Sequence, residues 1–226
     1  MPDLARRPAG SNGRLPRGRH GLPREAVADS QRARIQAAMI AVVAARGYAD
    51  TRVVDVIGTA GVSRKTFYEL FDSKEDCFLS AYDILLGQVL EEAEAGFGQR
   101  AGAPWPERIE TGLRALLLHL AAHPDEARFA MVEVLAAGPK ALARRDAALR
   151  QFTDFIETGR SESAVDLPGS TALTVAGGVN ELLYSEILHG AVSRLPGRLP
   201  DLVFLIVLPF LGADRAAEER ERARVA

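Results

Sequence analysis

Cysteine is nearly absent from this chain of 226 residues, which contains only Cys77. A single cysteine excludes an internal disulfide framework and a cysteine-based zinc site, and it fits a reducing, cytoplasmic setting best. Long apolar runs are also missing. The longest, residues 202–211, is about half of the roughly 20 residues that a membrane-crossing helix needs, and it contains Pro209. Since no apolar stretch follows the N-terminal arginines, a secretory signal is not indicated either, and we predict a cytoplasmic protein without a membrane partner.

Sequence signatures of catalysis are missing as well. The chain has four histidines, His20, His119, His123 and His189. Only His119 and His123 stand one helical turn apart, and the glutamate of a zinc-protease helix does not lie between them. There is no glycine-rich phosphate loop and no nucleophile elbow. We therefore predict that the protein is not an enzyme, and we expect no cofactor and no metal site.

The charge of the chain is unevenly distributed. Hydrophobic residues make up 47% and charged residues 26%, the balance of a soluble globular protein. The net charge is −2, but residues 1–80 carry 13 Lys and Arg against 9 Asp and Glu, whereas the remaining 146 residues carry 15 against 21. A basic N-terminal part beside an acidic remainder favours contact between the first part and a polyanion.

Helical periodicity extends over most of the sequence. No segment alternates apolar and polar residues with period two, so the fold class is predicted to be all-α. Residues 1–28 contain several Pro, Gly and Arg without a periodic pattern, and they are interpreted as a basic flexible arm that either contacts DNA or has no contact role. Residues 29–75 form the first predicted domain and residues 76–226 the second. Breaks at Gly and Pro divide the second domain into helices at about 74–97, 106–122, 125–137, 140–158, 170–193 and 199–223.

The first domain has the pattern of three short helices. A first helix begins near Ser30 and ends before Gly47, and Thr51 is the expected N-cap of the second. Gly61 ends the second helix, and Ser63 caps the third. Two short helices separated by a tight glycine turn, after a longer first helix, predict a tri-helical helix-turn-helix.

The residues of this domain resemble the DNA-binding domain of tetracycline-repressor-type (TetR family) regulators. The resemblance covers about 45 residues: Gly47-Tyr48, Thr51, Val56-Ile57, the continuous segment Ala60-Gly61-Val62-Ser63-Arg64-Lys65-Thr66-Phe67-Tyr68-Glu69-Leu70-Phe71, and Lys74-Glu75. The rest of the chain is similar to the family in helical character and length only. Gly58 and Leu70 depart from the family pattern, and Gly58 is expected to cost about 1 kcal/mol relative to Ala.

The resemblance implies a DNA-binding transcriptional regulator whose third helix enters the major groove. Arg64 is the expected base-reading residue, because a guanidinium can pair with guanine O6 and N7. Lys65 is assigned to a base or a phosphate, and Ser63 to a backbone contact, to capping, or to both. The full set of predicted DNA contacts is Thr51, Ser63, Arg64, Lys65, Thr66, Tyr68 and Lys74.

Family membership also implies a homodimer on a palindromic operator and a C-terminal domain that binds a small, largely apolar effector. Such a regulator is by default a repressor that the effector releases. The predicted dimer surface is Val175, Val179, Leu182, Leu183, Ile187, Leu202, Val203, Leu205, Ile206 and Leu208. The candidate effector pocket is Trp105, His119, Phe129, Met131, Phe152, Phe155, Asn180, Glu181 and Tyr184.

Two other functions are compatible with an all-α chain. A redox sensor would use Cys77, although Glu75 and Asp76 beside it disfavour the thiolate. A helical adaptor that binds only protein would leave Arg64, Lys65 and Tyr68 without a role. Both remain alternatives at this stage.

Overall fold

The protein is all-α, with an N-terminal helix-turn-helix followed by a C-terminal helical domain. A computed structural model describes residues 24–100 and 102–225, and these ranges contain no β-strand. The α-helices are α1 (Arg24–Arg46), α2 (Val53–Ala60), α3 (Arg64–Leu70), α4 (Lys74–Gly98), α5 (Trp105–Ala122), α6 (Pro124–Met131), α7 (Pro139–Glu157), α8 (Thr171–Leu188) and α9 (Leu199–Val225). Short 3-10 turns at Glu133–Ala136, Thr158–Glu162 and Val192–Arg198 connect them.

The helix-turn-helix forms as the periodicity predicts. Ile35, Met39 and Val43 of α1 are fully buried, and Phe67 of α3 packs into the same core. Helix α1 begins at Arg24, so residues 24–28 are helical although the sequence placed them in the arm. Residues 1–23, the rest of that arm, lie outside the described residues.

The turn between α2 and α3 depends on Gly61. Its φ of 63° and ψ of 42° lie in the left-handed region, which a side chain disfavours. The backbone N–H of Gly61 donates to the Ile57 carbonyl and ends α2. On the other side of the turn, Ser63 Oγ accepts a hydrogen bond from the Thr66 backbone N–H and starts α3.

The start of α2 differs from the prediction. Arg52, and not Thr51, occupies the N-cap position. The Asp55 carboxylate accepts a hydrogen bond from the backbone N–H of Arg52 at 3.0 Å, which satisfies a donor that the helix itself leaves free. The sequence placed Asp55 correctly near the positive end of the helix, but it misidentified the cap.

Helix α4 connects the two parts of the molecule. Its N-terminal half buries Cys77, Phe78 and Tyr82 below the helix-turn-helix, and its C-terminal half packs along α5. The two helices approach closely at Gly96 and Gly112. A Cβ added to Gly96 would lie 2.8 Å from the Thr111 carbonyl oxygen, so this crossing requires a residue without a side chain.

The C-terminal segment, rich in Arg and Glu, packs against the protein instead of projecting into solvent. Gly212 has a φ of 82° and reverses the chain inside α9. Asp201 and Arg220 would lie about 28 Å apart along a straight helix, but their side chains form an ion pair at 2.6 Å. Glu219 is buried beyond the bend, where it pairs with Arg215 and Arg222.

One stretch, Val192–Val225, has the length and apolar composition that would allow a helix to cross a membrane. In the structure, Leu202, Val203 and Ile206 of this stretch are buried against neighbouring helices. Gly212 also bends the chain within it. Packing therefore accounts for its apolar character as part of the helical core.

Candidate functional site

The first turn of α3 presents a basic and aromatic surface. Arg64, Lys65 and Tyr68 are exposed, and Tyr68 rests edge-on against buried Phe67 with ring centroids 5.3 Å apart. The Arg64 guanidinium lies 5.7 Å from the centre of the Tyr68 ring, one helical turn along the same face. Lys65 forms an exposed ion pair with Glu69 at 3.7 Å, which contributes little in water and leaves the ammonium available.

Ser63 and Thr66 are bonded to each other at the start of α3. Their hydroxyl oxygens lie 2.8 Å apart, and Ser63 also accepts from the Thr66 backbone N–H at 3.0 Å. The capping role expected for Ser63 is thus present in the structure. One hydroxyl hydrogen is used between these two side chains, so the pair retains one hydrogen that it can donate to an oxygen outside the protein.

Thr51 in the loop between α1 and α2 and Lys74 at the start of α4 both hold this loop in place. Thr51 is buried, and its hydroxyl donates to the Gly47 carbonyl at 2.8 Å. The Lys74 ammonium donates to the carbonyls of Tyr48 and Thr51 at 2.8 and 2.9 Å and lies 4.1 Å from the centre of the Tyr48 ring. Burial lowers the pKa of Lys74. The direct phosphate contacts expected of Thr51 and Lys74 therefore do not fit this arrangement, which holds the loop in place.

Three arginines that the sequence reasoning did not single out also organise this domain. Arg34 of α1 donates to the carbonyls of Ala60 and Gly61, at the negative end of α2. Arg46 and Arg52 both pair with Asp55. For Arg34 and Arg46, the signal in the sequence was a position on α1 that faces away from its apolar side. The partner of each arginine becomes evident only in the folded chain.

A buried carboxylate joins the helix-turn-helix to the C-terminal domain. Glu133, in the 3-10 turn after α6, accepts a hydrogen bond from the backbone N–H of Tyr48 at 2.9 Å. Its other oxygen pairs with Arg128 at 3.1 Å. Beside this contact the Tyr48 ring packs edge-on against Phe78, 5.0 Å away, and Phe78 lies 4.4 Å from Phe129. We call this set of contacts the Glu133 joint.

The C-terminal domain encloses an apolar cavity of about 140 Å³ between α4, α5, α6, α7, α8 and α9. Aliphatic and phenylalanine side chains form nearly all of its wall. The polar or charged side chains in the lining are Tyr82, Arg145 and Asn180. The Tyr82 hydroxyl donates to the Ala130 carbonyl at 3.4 Å, and burial raises the pKa of this phenol.

Four of the residues proposed for the effector pocket line this cavity: Met131, Phe152, Phe155 and Asn180. Five others do not. Trp105 is buried against Phe210, and its indole N–H donates to the Phe155 carbonyl at 3.3 Å. Phe129 belongs to the aromatic contacts of the Glu133 joint.

The remaining three proposed pocket residues lie outside the lining. His119 points away from the cavity and places Nδ1 2.7 Å from a carboxylate oxygen of Glu92. Glu181 is exposed on α8, and Tyr184 is half-buried on the same helix. All three were proposed because each is a polar residue within an otherwise apolar helix. This pattern does not indicate which neighbour the polar group faces.

The proposed dimer residues divide into two groups. Leu183, Ile187, Leu202, Val203 and Ile206 are buried within the single chain, where they form part of its core. Leu205 is about half exposed at 49%, and Val175, Val179, Leu182 and Leu208 are half-buried. The accessible apolar face of α8 and α9 is therefore narrower than the sequence suggested.

Cys77 is buried in α4 below the helix-turn-helix. Burial, with a smaller contribution from the negative charge of Asp76, raises the pKa of its thiol to about 12. A thiol of this kind stays protonated near neutral pH and reacts slowly with oxidants. The redox-sensor alternative therefore has no support in the geometry.

Comparison with known proteins identifies the first domain. Residues 35–81, which span the C-terminal half of α1, all of α2 and α3 and the start of α4, match the family model described as "Bacterial regulatory proteins, tetR family". The helix-turn-helix of this chain is therefore similar to the DNA-binding domain of that family. The relatives that the chain resembles are transcriptional regulators.

Similar proteins match the chain over both of its domains. The HTH-type transcriptional regulator EthR of Mycolicibacterium smegmatis is 27% identical over 199 residues, covering 85% of this chain and 88% of that protein. Two solved structures share the fold. The fatty acid degradation regulator FadR of Bacillus halodurans has a TM-score of 0.70 at 16% identity, with 80% of this chain and 97% of that chain covered. FadR of Bacillus subtilis, solved in complex with stearoyl-CoA, has a TM-score of 0.68 at 19% identity, with 78% and 98% covered.

Proposed function

We propose that this regulator represses transcription as a homodimer on a palindromic operator and is released by a small, largely apolar effector. The observation that carries the proposal is the free first turn of α3, where Arg64, Lys65 and Tyr68 are exposed on a helix-turn-helix of the tetR family. The adaptor alternative gives this surface no task. We also place the protein in the cytoplasm, where its DNA would be.

Roles within the DNA interface follow from exposure. Arg64 reads a guanine edge, and the Tyr68 ring beneath its guanidinium restricts the directions in which the arginine points. Lys65, Thr66, Ser63 and Tyr68 contact phosphates, which fix the register of the helix without reading sequence. Thr51 and Lys74 act indirectly, by holding the loop that supports α2 and α3.

Dimerisation supplies the second half-site that one short recognition helix needs. The proposed interface is the outward face of α8 and α9, with Leu205 and Leu208 as its apolar centre. Gly177 and Gly178 of α8 have open space where a side chain would project, so a second helix can approach closely there. Two-fold symmetry would then place identical faces against each other.

Release of DNA by an effector requires that a change at the cavity is transmitted to α3. Ala130 and Met131, at the end of α6, line the cavity, and Glu133 follows two residues later in the joint that holds the Tyr48 backbone. An effector that prefers a shifted α6 would move this support of the α1–α2 loop and change the spacing of the two recognition helices. The differential binding energy of the effector sets the loss of DNA affinity.

The test is fluorescence anisotropy of a labelled fragment from upstream of the chain's own gene, titrated with protein at several salt concentrations. Arg64→Ala is expected to weaken specific binding roughly tenfold to hundredfold, because one bidentate base contact is lost. The matched variant Lys65→Ala should weaken all sequences alike and reduce the salt slope by about one. Weak binding that is equal on random DNA and unchanged by Arg64→Ala, on this fragment and on sites selected from a random library, would refute the proposal.

A further inference from the structure

Among the described residues that line the cavity, Arg145 has the one charged side chain. It projects from α7 toward a wall that otherwise consists mainly of Leu, Val, Ala and Phe. The Arg145 side chain is 29% exposed, so water solvates part of the guanidinium. An anion in the cavity would replace that water and pair with the charge beside the apolar wall.

The protein supplies only a weak partner. Among the described residues, the Arg145 guanidinium donates one hydrogen bond, at 3.2 Å to the carboxylate of the adjacent Asp146. The Asp146 side chain is 55% exposed, so water screens this pair. A guanidinium has five N–H donors, and most of them remain free for an anion.

The position of Arg145 along the cavity is also informative. The neighbouring Arg144 pairs with Asp83 at 2.7 Å, which places this part of α7 beside Tyr82 of α4. Phe155 of the same helix lies 5.2 Å from Phe97 of α4. The cavity therefore runs along α4 from Tyr82 to Phe97, a distance of about 22 Å. Arg145 is at the end that faces the helix-turn-helix, and Phe97 and Phe155 line the far end.

We propose that the cavity binds an amphiphile whose hydrocarbon chain lies along α4 and α7 and whose anionic head group is held by Arg145. The nearly continuous wall of aliphatic and phenylalanine side chains suits a hydrocarbon chain. Charge-assisted hydrogen bonds from a planar guanidinium suit a carboxylate or a phosphate. The inference rests on the proposed function only in taking this cavity as the effector site.

The head group would bind where the cavity meets the Glu133 joint. Tyr82 at this end packs against Phe78 and Phe129, and its hydroxyl bonds to the Ala130 carbonyl of α6. An anion drawn to Arg145 therefore contacts the part of the domain nearest to the DNA-binding helices. The hydrocarbon chain supplies most of the binding, and the head group determines which amphiphiles are recognised.

Isothermal titration calorimetry of the full chain tests this with three probes of equal chain length: dodecanoate, 1-dodecanol and dodecanoyl-CoA. Wild-type protein is expected to bind dodecanoate more tightly than 1-dodecanol. Arg145→Met should weaken dodecanoate binding about 10- to 100-fold and leave 1-dodecanol unchanged or tighter, because only the charged hydrogen bonds are lost. Arg144→Met is the matched control, since Arg144 pairs with Asp83 outside the cavity, and it should change neither affinity.

The outcomes separate the sources of the anion. Binding of dodecanoyl-CoA that depends on Arg145, without binding of dodecanoate, supports the proposal with a phosphate as the anion. Equal affinity of wild-type protein for dodecanoate and 1-dodecanol, binding unaffected by Arg145→Met, or no binding of any probe would overturn it. Arg145→Lys keeps the charge and should retain part of the preference, which separates a lost charge from a misfolded cavity.

Failure of this inference is distinguishable from failure of the proposed function. Calorimetry measures the ligand without DNA, and anisotropy measures operator binding without ligand. Arg145-dependent dodecanoate binding that leaves the operator complex intact would support the anion site and refute effector release. Operator release by a neutral molecule, with 1-dodecanol binding as tightly as dodecanoate, would support the proposed function and refute the anion site.

Discussion

Individual charged side chains of the helix-turn-helix serve two different purposes. Arg34 and Lys74 donate to backbone carbonyls and hold the loops, whereas Arg64 and Lys65 are exposed. The sequence places these four residues on helices but does not show which of them hold loops, because a backbone carbonyl acceptor has no sequence signature. The periodicity of α3 separates buried Phe67 from exposed Arg64, so the exposure of Arg64 could be predicted from the sequence alone. Thr51 could not be assigned in this way, since its hydroxyl bonds inward.

Asp55 should make folding stability depend on pH. Hydrogen bonds from the Arg52 side chain, and then from its backbone N–H, lower the pKa of the Asp55 carboxyl below its ordinary value. A lowered pKa in the folded state means that the ionised form stabilises the fold. This contribution is present at neutral pH and is lost as the pH falls through the lowered pKa, below about 4.

The measurement is the thermal unfolding midpoint of wild-type protein and Asp55→Asn across this range. The difference between the two proteins should be present at neutral pH and should shrink progressively as the pH falls below the ordinary carboxyl range. Asp29→Asn, an exposed change on α1, is the control and should follow the wild-type curve. A difference that persists unchanged in acid would show that Asp55 acts through packing and not through its charge.

At the scale of helices, local signals predicted the elements well and their partners poorly. The breaks at Gly and Pro placed the starts of α4 to α9 within one residue of the observed starts, because caps and helix breakers act locally. However, α6 ends at Met131 and α8 at Leu188, several residues before the predicted ends at 137 and 193. The two apolar faces of α8 and α9 could not be told apart, and residues such as Leu202 were assigned to a dimer when they fill the core. The reversal at Gly212 was missed since its charged residues resemble a solvated helix end, yet Glu219 is buried there.

Two glycines of α2 and its turn should respond in opposite ways to the same substitution. Gly58 is exposed within the helix with open space around the position of a Cβ, so Gly58→Ala should raise the free energy of unfolding by about 0.5–1 kcal/mol. Gly61→Ala should lower it by about 1–2 kcal/mol because the left-handed turn is retained at a steric cost. Urea unfolding of both variants measures the two changes. A loss of stability in Gly58→Ala would contradict the packing described for α2.

For the whole molecule, the decisive property is the number of chains in the assembly. The proposed dimer face on α8 and α9 is only partly apolar, and Leu205 is its most exposed leucine among the predicted residues. A carboxylate placed there would lie against its own symmetry mate in a two-fold dimer. Like charges meeting without partners are strongly unfavourable in a desolvated interface.

Leu205→Glu is therefore expected to convert a dimer into a monomer of 24.3 kDa in analytical ultracentrifugation, and to weaken operator binding because two half-sites are no longer read together. Leu118→Glu is the matched control: Leu118 is 54% exposed on α5, away from this face, and its variant should stay dimeric. A dimer that survives Leu205→Glu would place the interface elsewhere on the molecule.

The Glu133 joint also bears on how this chain could be re-engineered. Its hydrogen bond to the Tyr48 backbone crosses between the two domains, although Glu133 lies 85 residues further along the chain. A chimaera that exchanges only residues 24–75 would keep this carboxylate but surround it with a foreign loop. Recombination with a similar protein should therefore transplant the turn at 133–136 together with the helix-turn-helix, so that the transplanted domain keeps its hydrogen bond to the C-terminal domain.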